Sequence, residues 1–183
     1  MRLVTRIAAT LALAFALTAP ALAEITDAQR QVLVDRIASF DAAMRANDLT
    51  SIMTAVPPKV LDSIATQYKV TNEQLLQAMQ QQFDEAMKTV TLVSFGMDLE
   101  AAEFVTLPDG TEYALIPTET VMDLGAAAGG KMRATSTTLG LLDGETWYLV
   151  RVEDPQQVAI LKQVYPGFAD VTFPTGSMEP VTE

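Results

Sequence analysis

The sequence predicts an α+β fold, with N-terminal helices packed on an antiparallel sheet of about five strands and a C-terminal helix. Three observations predict it. Apolar residues recur at helical spacing as far as Lys88. Beyond Lys88 the period drops to two, and Asp-Gly pairs separate the strand-like runs. Helices followed by strands, without alternation, argue against parallel βαβ units and for an α+β arrangement.

Thr26 and Gln29 form a capping-box pattern, in which a hydroxyl and a side-chain amide satisfy the free N–H groups of a helix start. Leu33, Ile37, Phe40 and Met44 then fall on one stripe, so a first helix runs to about Asn47 and turns that stripe toward the sheet. Asp48 caps a short helix carrying Ile52 and Met53. Pro57-Pro58 stops it, because proline lacks the N–H that a helix interior requires. A third helix groups Leu61, Ile64 and Tyr68 on one face. Thr71 with Gln74 repeats the capping box, and Val70 stands at the offset to staple onto Leu75. The fourth helix is expected to bury Leu76, Met79, Phe83 and Met87.

In the first strand, Thr91, Val93, Phe95 and Met97 alternate with Leu92, Ser94 and Gly96, which places the first set on one face. Residues 99–107 read as extended, and Asp109-Gly110 turns the chain into a strand over 113–124. Residues 125–130, all Gly and Ala, read as a flexible loop. A strand over 132–142 follows, and Asp143-Gly144 leads into the last one, over 146–152. Asp154 as cap and Pro155 at the first helical position open a helix presenting Val158, Leu161 and Tyr165, which ends at Pro166-Gly167. Residues 24–168 thus form a single domain, and 169–183 are expected as a flexible tail.

The N-terminus has the parts of a secretory signal. Arg2 and Arg6 precede an uncharged apolar run over 7–19, and Pro20 is followed by Ala21-Leu22-Ala23, an A-x-A cleavage pattern. That run is well short of the roughly 20 residues a membrane-spanning helix needs. Residues 1–23 are therefore expected to be removed, giving a periplasmic or secreted protein with no membrane insertion after cleavage. Without Arg2 and Arg6 the formal charge falls from −11 to −13. Such a chain offers no electrostatic footprint for nucleic acid.

The chain has no His and no Cys. The commonest general base and metal ligand, the Ser-His-Asp arrangement and thiol chemistry are all missing from its repertoire. Neither a calcium-loop pattern nor a glycine-rich phosphate motif occurs. No metal and no cofactor are expected, and the scattered methionines read as gap-filling core residues. Asp98, Glu103, Glu119 and Asp123 lie on or near strands but read as surface charges, with Arg133 and Arg151 expected to pair with such acids on the outer face. Thr135, Thr137 and Thr138 are candidates to line a polar pocket, though threonine is also ordinary strand material.

Residues 46–53, between a long first helix and a Pro-Pro break, resemble the opening of the nuclear transport factor 2-like superfamily. Residues 142–152, with Trp147-Tyr148 after the turn, are similar to its closing hairpin strand. The resemblance covers about residues 25–165. It implies a curved sheet wrapped around helices to form a cone with an internal pocket, and no particular function, since members include enzymes and pure binding modules. Trp147 and Tyr148, as strand neighbours, point to opposite faces.

Tyr113, Trp147 and Tyr148 are the candidate ligand-binding residues; no catalytic residue stands out. The expected function is an exported, non-catalytic binding or interaction domain, with a small apolar ligand in the cone or a protein partner on the sheet. The alternative is an isomerase- or lyase-type enzyme using a buried Asp or Glu base, and a homodimer through the sheet is a further possibility.

Overall fold

The computed structural model describes residues 25–181; the expected signal segment lies outside them. Helices come first, then a strongly curled antiparallel sheet shaped like a half-barrel, then a C-terminal helix. The first four helices are α1 (Asp27–Ala46), α2 (Leu49–Met53), α3 (Pro58–Tyr68) and α4 (Asn72–Ala86). The strands are β1 (Thr91–Met97), β2 (Glu103–Thr106), β3 (Glu112–Asp123), β4 (Lys131–Asp143) and β5 (Thr146–Arg151). Helix α5 (Pro155–Val164) and the strand β6 (Ser177–Pro180) complete the chain.

Local signals set the helix boundaries. Both capping boxes form, with Thr26 and Thr71 each exchanging hydrogen bonds with the glutamine three residues on. Asn47 ends α1 in the left-handed region that asparagine tolerates well, and Asp48 accepts from Ser51 N to start α2. Pro57 and Pro58 open α3 rather than merely ending α2.

The two long strands β3 and β4 pair from Glu112 opposite Leu142 to Asp123 opposite Lys131. Each is flanked by a broken strand. Along β3, β1 pairs with the end from Thr118 to Asp123 and β2 with the end from Glu112 to Leu115. The interruption is a turn in which the Asp98 carboxylate accepts from Glu100 N and Ala101 N, so only part of the run over 99–107 is strand. Along β4, β5 covers Thr138 to Asp143 and β6 covers Met132 to Thr135. That sixth strand lies within 169–183, the stretch expected as a flexible tail. It is short, exposed and confined to the part of β4 that β5 does not reach, which is why no alternation announces it.

Two apolar clusters lie on opposite faces of the sheet. On the inner face, α1 packs Leu33 against Ala114, Ile116, Trp147 and Leu149, with Ile37 and Phe40 alongside. On the outer face, α5 and the following turn bring Leu161 and Phe168 onto Tyr113, Leu139, Leu141 and Val150. The stripe predicted for α1 thus faces the sheet, with Leu33 fully buried and Ile37, Phe40 and Met44 partly so.

Three assignments change. In β1 the register slips between Leu92 and Ser94, a bulge that gives the strand one extra residue. Leu92 therefore turns inward with Phe95 and Met97, while Val93 is exposed. In α4 the buried residue is Leu75, whereas Leu76 is exposed and Met79, Phe83 and Met87 are half-covered. In α3 Tyr68 is exposed, and the helix docks through Val60 and Ala65 instead.

Candidate functional site

The inner face carries two kinds of surface along β3 and β4. Near the β2 and β5 end the side chains of Ala114, Ile116 and Leu149 are covered by α1. Toward the β1 and β6 end the same face presents Thr118 and Thr120 on β3, with Ser136 and Thr138 on β4. Here the curl of the sheet and the position of α4 leave a cavity of about 640 Å³.

Its floor is the hydroxyl-bearing patch. Thr118 and Thr138 are 6% and 4% exposed. The Thr118 hydroxyl donates to Ile116 O at 3.0 Å and lies 2.9 Å from the Thr138 hydroxyl. The walls are apolar: Phe40 and Met44 from α1, Phe83 and Met87 at the end of α4, and Leu92 and Phe95 from β1. The rings of Phe40 and Phe95 meet at 5.7 Å. Met97, Met122 and Met178 extend the same surface, so five methionines border the space. Methionine is flexible and polarizable and suits a surface that adapts to what it contacts.

The remaining side is polar and lies where β5 and β6 fail to meet. Arg151 ends β5 at an exposed position and forms an ion pair with Glu153. Thr175 and Gly176 lead into β6 beside them. Gly176 is needed at this closure, since a Cβ there would stand 2.5 Å from Glu153 Oε2 and 2.8 Å from Thr135 O. Arg151 thus faces the cavity, while Arg133 makes the outer-face pair with Glu119 that was expected of both arginines. The parity is decided by register, because Arg151 stands opposite Thr138 and shares its face.

The three residues expected to bind ligand do not converge. Tyr113 belongs to the outer core, its ring 5.2 Å from Phe168, and burial raises its phenol above the ordinary value with help from the charge of Glu103. Trp147 belongs to the inner core, where its indole N–H donates to Gln29 O at 2.8 Å. Tyr148 is half-buried on the face opposite Trp147. None of the three borders the cavity. Of the threonines singled out in β4, Thr138 reaches it, while Thr135 and Thr137 fall on the other face by strand parity.

The acids on or near the strands stand outside the cavity as well. Asp98 and Asp123 accept backbone N–H bonds in turns, Glu119 pairs with Arg133, and Glu103 is exposed on β2. A separate polar cluster ties α3, the β4–β5 turn and α5 together. Lys59 Nζ contacts Asp143 Oδ2 at 2.7 Å, and the Tyr165 hydroxyl donates to the same oxygen at 2.9 Å. The Lys59 hydrogen bond holds the Asp143 carboxyl below the usual carboxylate range, and Tyr165 acts in the same sense. Burial, then the Asp143 interaction, raises the Tyr165 phenol. Among the described residues no group of three or more His, Cys, Asp and Glu is placed to hold a metal ion.

The fold and this site define a helix-then-sheet α+β domain with an apolar-walled, hydroxyl-floored cavity between its α1/α4 side and the inner face of its sheet. No family model, curated protein or solved structure matches the chain.

Proposed function

We propose that this protein is an exported, non-catalytic binding domain whose cavity holds a small, largely apolar ligand. One observation carries the reading. About 640 Å³ of space is bordered by Phe40, Phe83, Phe95 and several methionines, and the side chains of the described residues do not fill it. Protein interiors are normally close-packed, and each unfilled apolar volume costs stability. The size lies within the range of roughly 300–1,000 Å³ usual for small-molecule sites, as does the combination of apolar walls with a few polar groups. The element order and the curled sheet also support kinship with the nuclear transport factor 2-like superfamily, and we include that kinship in the proposal.

The isomerase or lyase alternative requires a buried Asp or Glu free to take a proton from substrate. Among the described residues the carboxylate bordering the cavity is that of Glu153, and Arg151 engages it. Binding is therefore the reading we favour over catalysis, and a ligand in the cavity over a protein partner on the sheet.

The neutral dye Nile red tests the reading directly. It should bind with one site per chain and brighten on entering an apolar space. Ala134→Trp, which projects a large side chain into the cavity from β4, should abolish that signal while the protein stays folded by circular dichroism. Unchanged dye binding by Ala134→Trp would defeat the assignment of the cavity as the site. Export has its own test. The mass of the protein recovered from its native host should correspond to a chain starting at Glu24 with no attached lipid, and a stable product retaining residues 1–23 would overturn it.

A further inference from the structure

The two buried hydroxyls on the cavity floor have a direction. A threonine hydroxyl has one proton to donate and two lone pairs to accept with. Thr118 spends its proton on Ile116 O, at 3.0 Å. Its contact with Thr138 at 2.9 Å must then be donated by Thr138. Both protons are consumed within the protein, and what the pair turns toward the cavity is lone pairs only. Thr138, 4% exposed and bordering the cavity, keeps both of its own.

We infer that the Thr138 corner of this floor favours an apolar ligand carrying an O–H or N–H donor, such as an alcohol or a primary amide, over an acceptor-only group at the same place; the other two hydroxyls of the floor, Thr120 and Ser136, stand farther toward the β1 and β6 end. The inference rests on the cavity-binding reading above and deepens it. A donor reaching Thr138 exchanges its bond to water for one to a buried hydroxyl. A ketone oxygen at that corner would instead face the lone pairs of the Thr118–Thr138 pair, and to find a proton it must shift toward Thr120, Ser136 or Arg151. Arg151, opposite Thr138 on the same face, is the donor an anion would turn to, so the selectivity concerns neutral groups. Arg151 stands at an exposed position beside the gap between β5 and β6 and is already paired with Glu153.

The relay also predicts which threonine sets the preference. Thr118→Val keeps the side-chain shape but removes the acceptor for the Thr138 proton. Thr138 is then free to donate into the cavity. Thr138→Val leaves Thr118 donating to Ile116 O, with a lone pair still facing the ligand.

The experiment compares three probes of equal chain length by displacement of Nile red: dodecane, the primary alcohol dodecanol and the corresponding methyl ketone. The wild-type protein should bind the alcohol roughly five- to tenfold more tightly than the ketone, the worth of one neutral hydrogen bond. In Thr118→Val that ratio should fall to about one or invert, and in Thr138→Val the order should persist. If dodecane binds but the alcohol and ketone bind alike in the wild type, or if Thr118→Val leaves the ratio unchanged, this inference is overturned and the binding reading stands. If neither dodecane nor the dye binds, the binding reading itself fails and takes the inference with it.

Discussion

Trp147→Ala should destabilise the folded protein by about 3–5 kcal/mol, the usual range for truncating a buried large aromatic. The side chain is 1% exposed and sits where α1 crosses β5, in contact with the inner core. Two further bonds bind the same residue to α1. Its indole N–H donates to Gln29 O at 2.8 Å, and its own carbonyl accepts from Arg36 Nε at 3.1 Å. Arg36 also reaches Thr54 O, so the position joins α1, the end of α2 and β5. Trp147→Phe separates volume from hydrogen bonding. It keeps a ring in the core and loses the indole donor, at a cost of about 1–2 kcal/mol. Urea denaturation of both variants measures the difference. A loss below about 1 kcal/mol for Trp147→Ala would mean the indole does not bridge α1 and the sheet.

Much of this architecture is legible in the residues because its signals are local. A Thr-x-x-Gln box, an Asp-Pro pair and an Asp-Gly turn each act over a few residues, and the structure places helix starts or hairpin tips at all of them. The signals that fail are those decided elsewhere in the fold. Alternation in β1 placed Val93 with Phe95, but a bulge against β3 shifts one residue and exposes it. The strand β6 has no hydrophobic pattern, because it only borrows the free edge of β4. In α4 periodicity puts Met79, Phe83 and Met87 on the covered side but chooses Leu76, which is exposed, over the buried Leu75, and it overstates burial, since Phe83 and Met87 face a cavity in place of a packed neighbour.

The site was harder to read for a related reason. Aromatic content drew attention to Tyr113, Trp147 and Tyr148, yet large rings are what a core most needs, and the first two are core. The better signal was hydroxyls at alternate positions in two neighbouring strands, Thr118 and Thr120 with Ser136 and Thr138. Such residues share a face once the pairing is known, and Thr118 stands opposite Ser136. The pairing of β3 with β4 was readable in outline; the register that puts Thr138 inward and Thr137 outward was not. A slip of one residue would have exchanged them.

The two faces of the sheet should also respond differently to the loss of an aromatic ring, and this is the sharpest test of where the core ends and the cavity begins. Phe168 is fully buried on the outer face, with the Tyr113 ring at 5.2 Å and the Phe173 ring at 6.0 Å. Phe168→Ala should cost about 3–5 kcal/mol, because its surroundings are packed from every side and leave a cavity behind. Phe40, expected from its helical stripe to behave the same way, is only half-buried and borders space that is already open. Phe40→Ala should therefore cost less, about 1–3 kcal/mol, since less apolar area is returned to water. The dye should report the opposite ranking. Phe40→Ala removes a wall of the site and its contact with Phe95, so Nile red affinity should change, whereas Phe168→Ala acts across the sheet and should leave that affinity alone wherever the protein is folded. Equal stability losses at the two positions, together with unaltered dye binding in Phe40→Ala, would place Phe40 in a filled core and remove the wall on which the cavity depends.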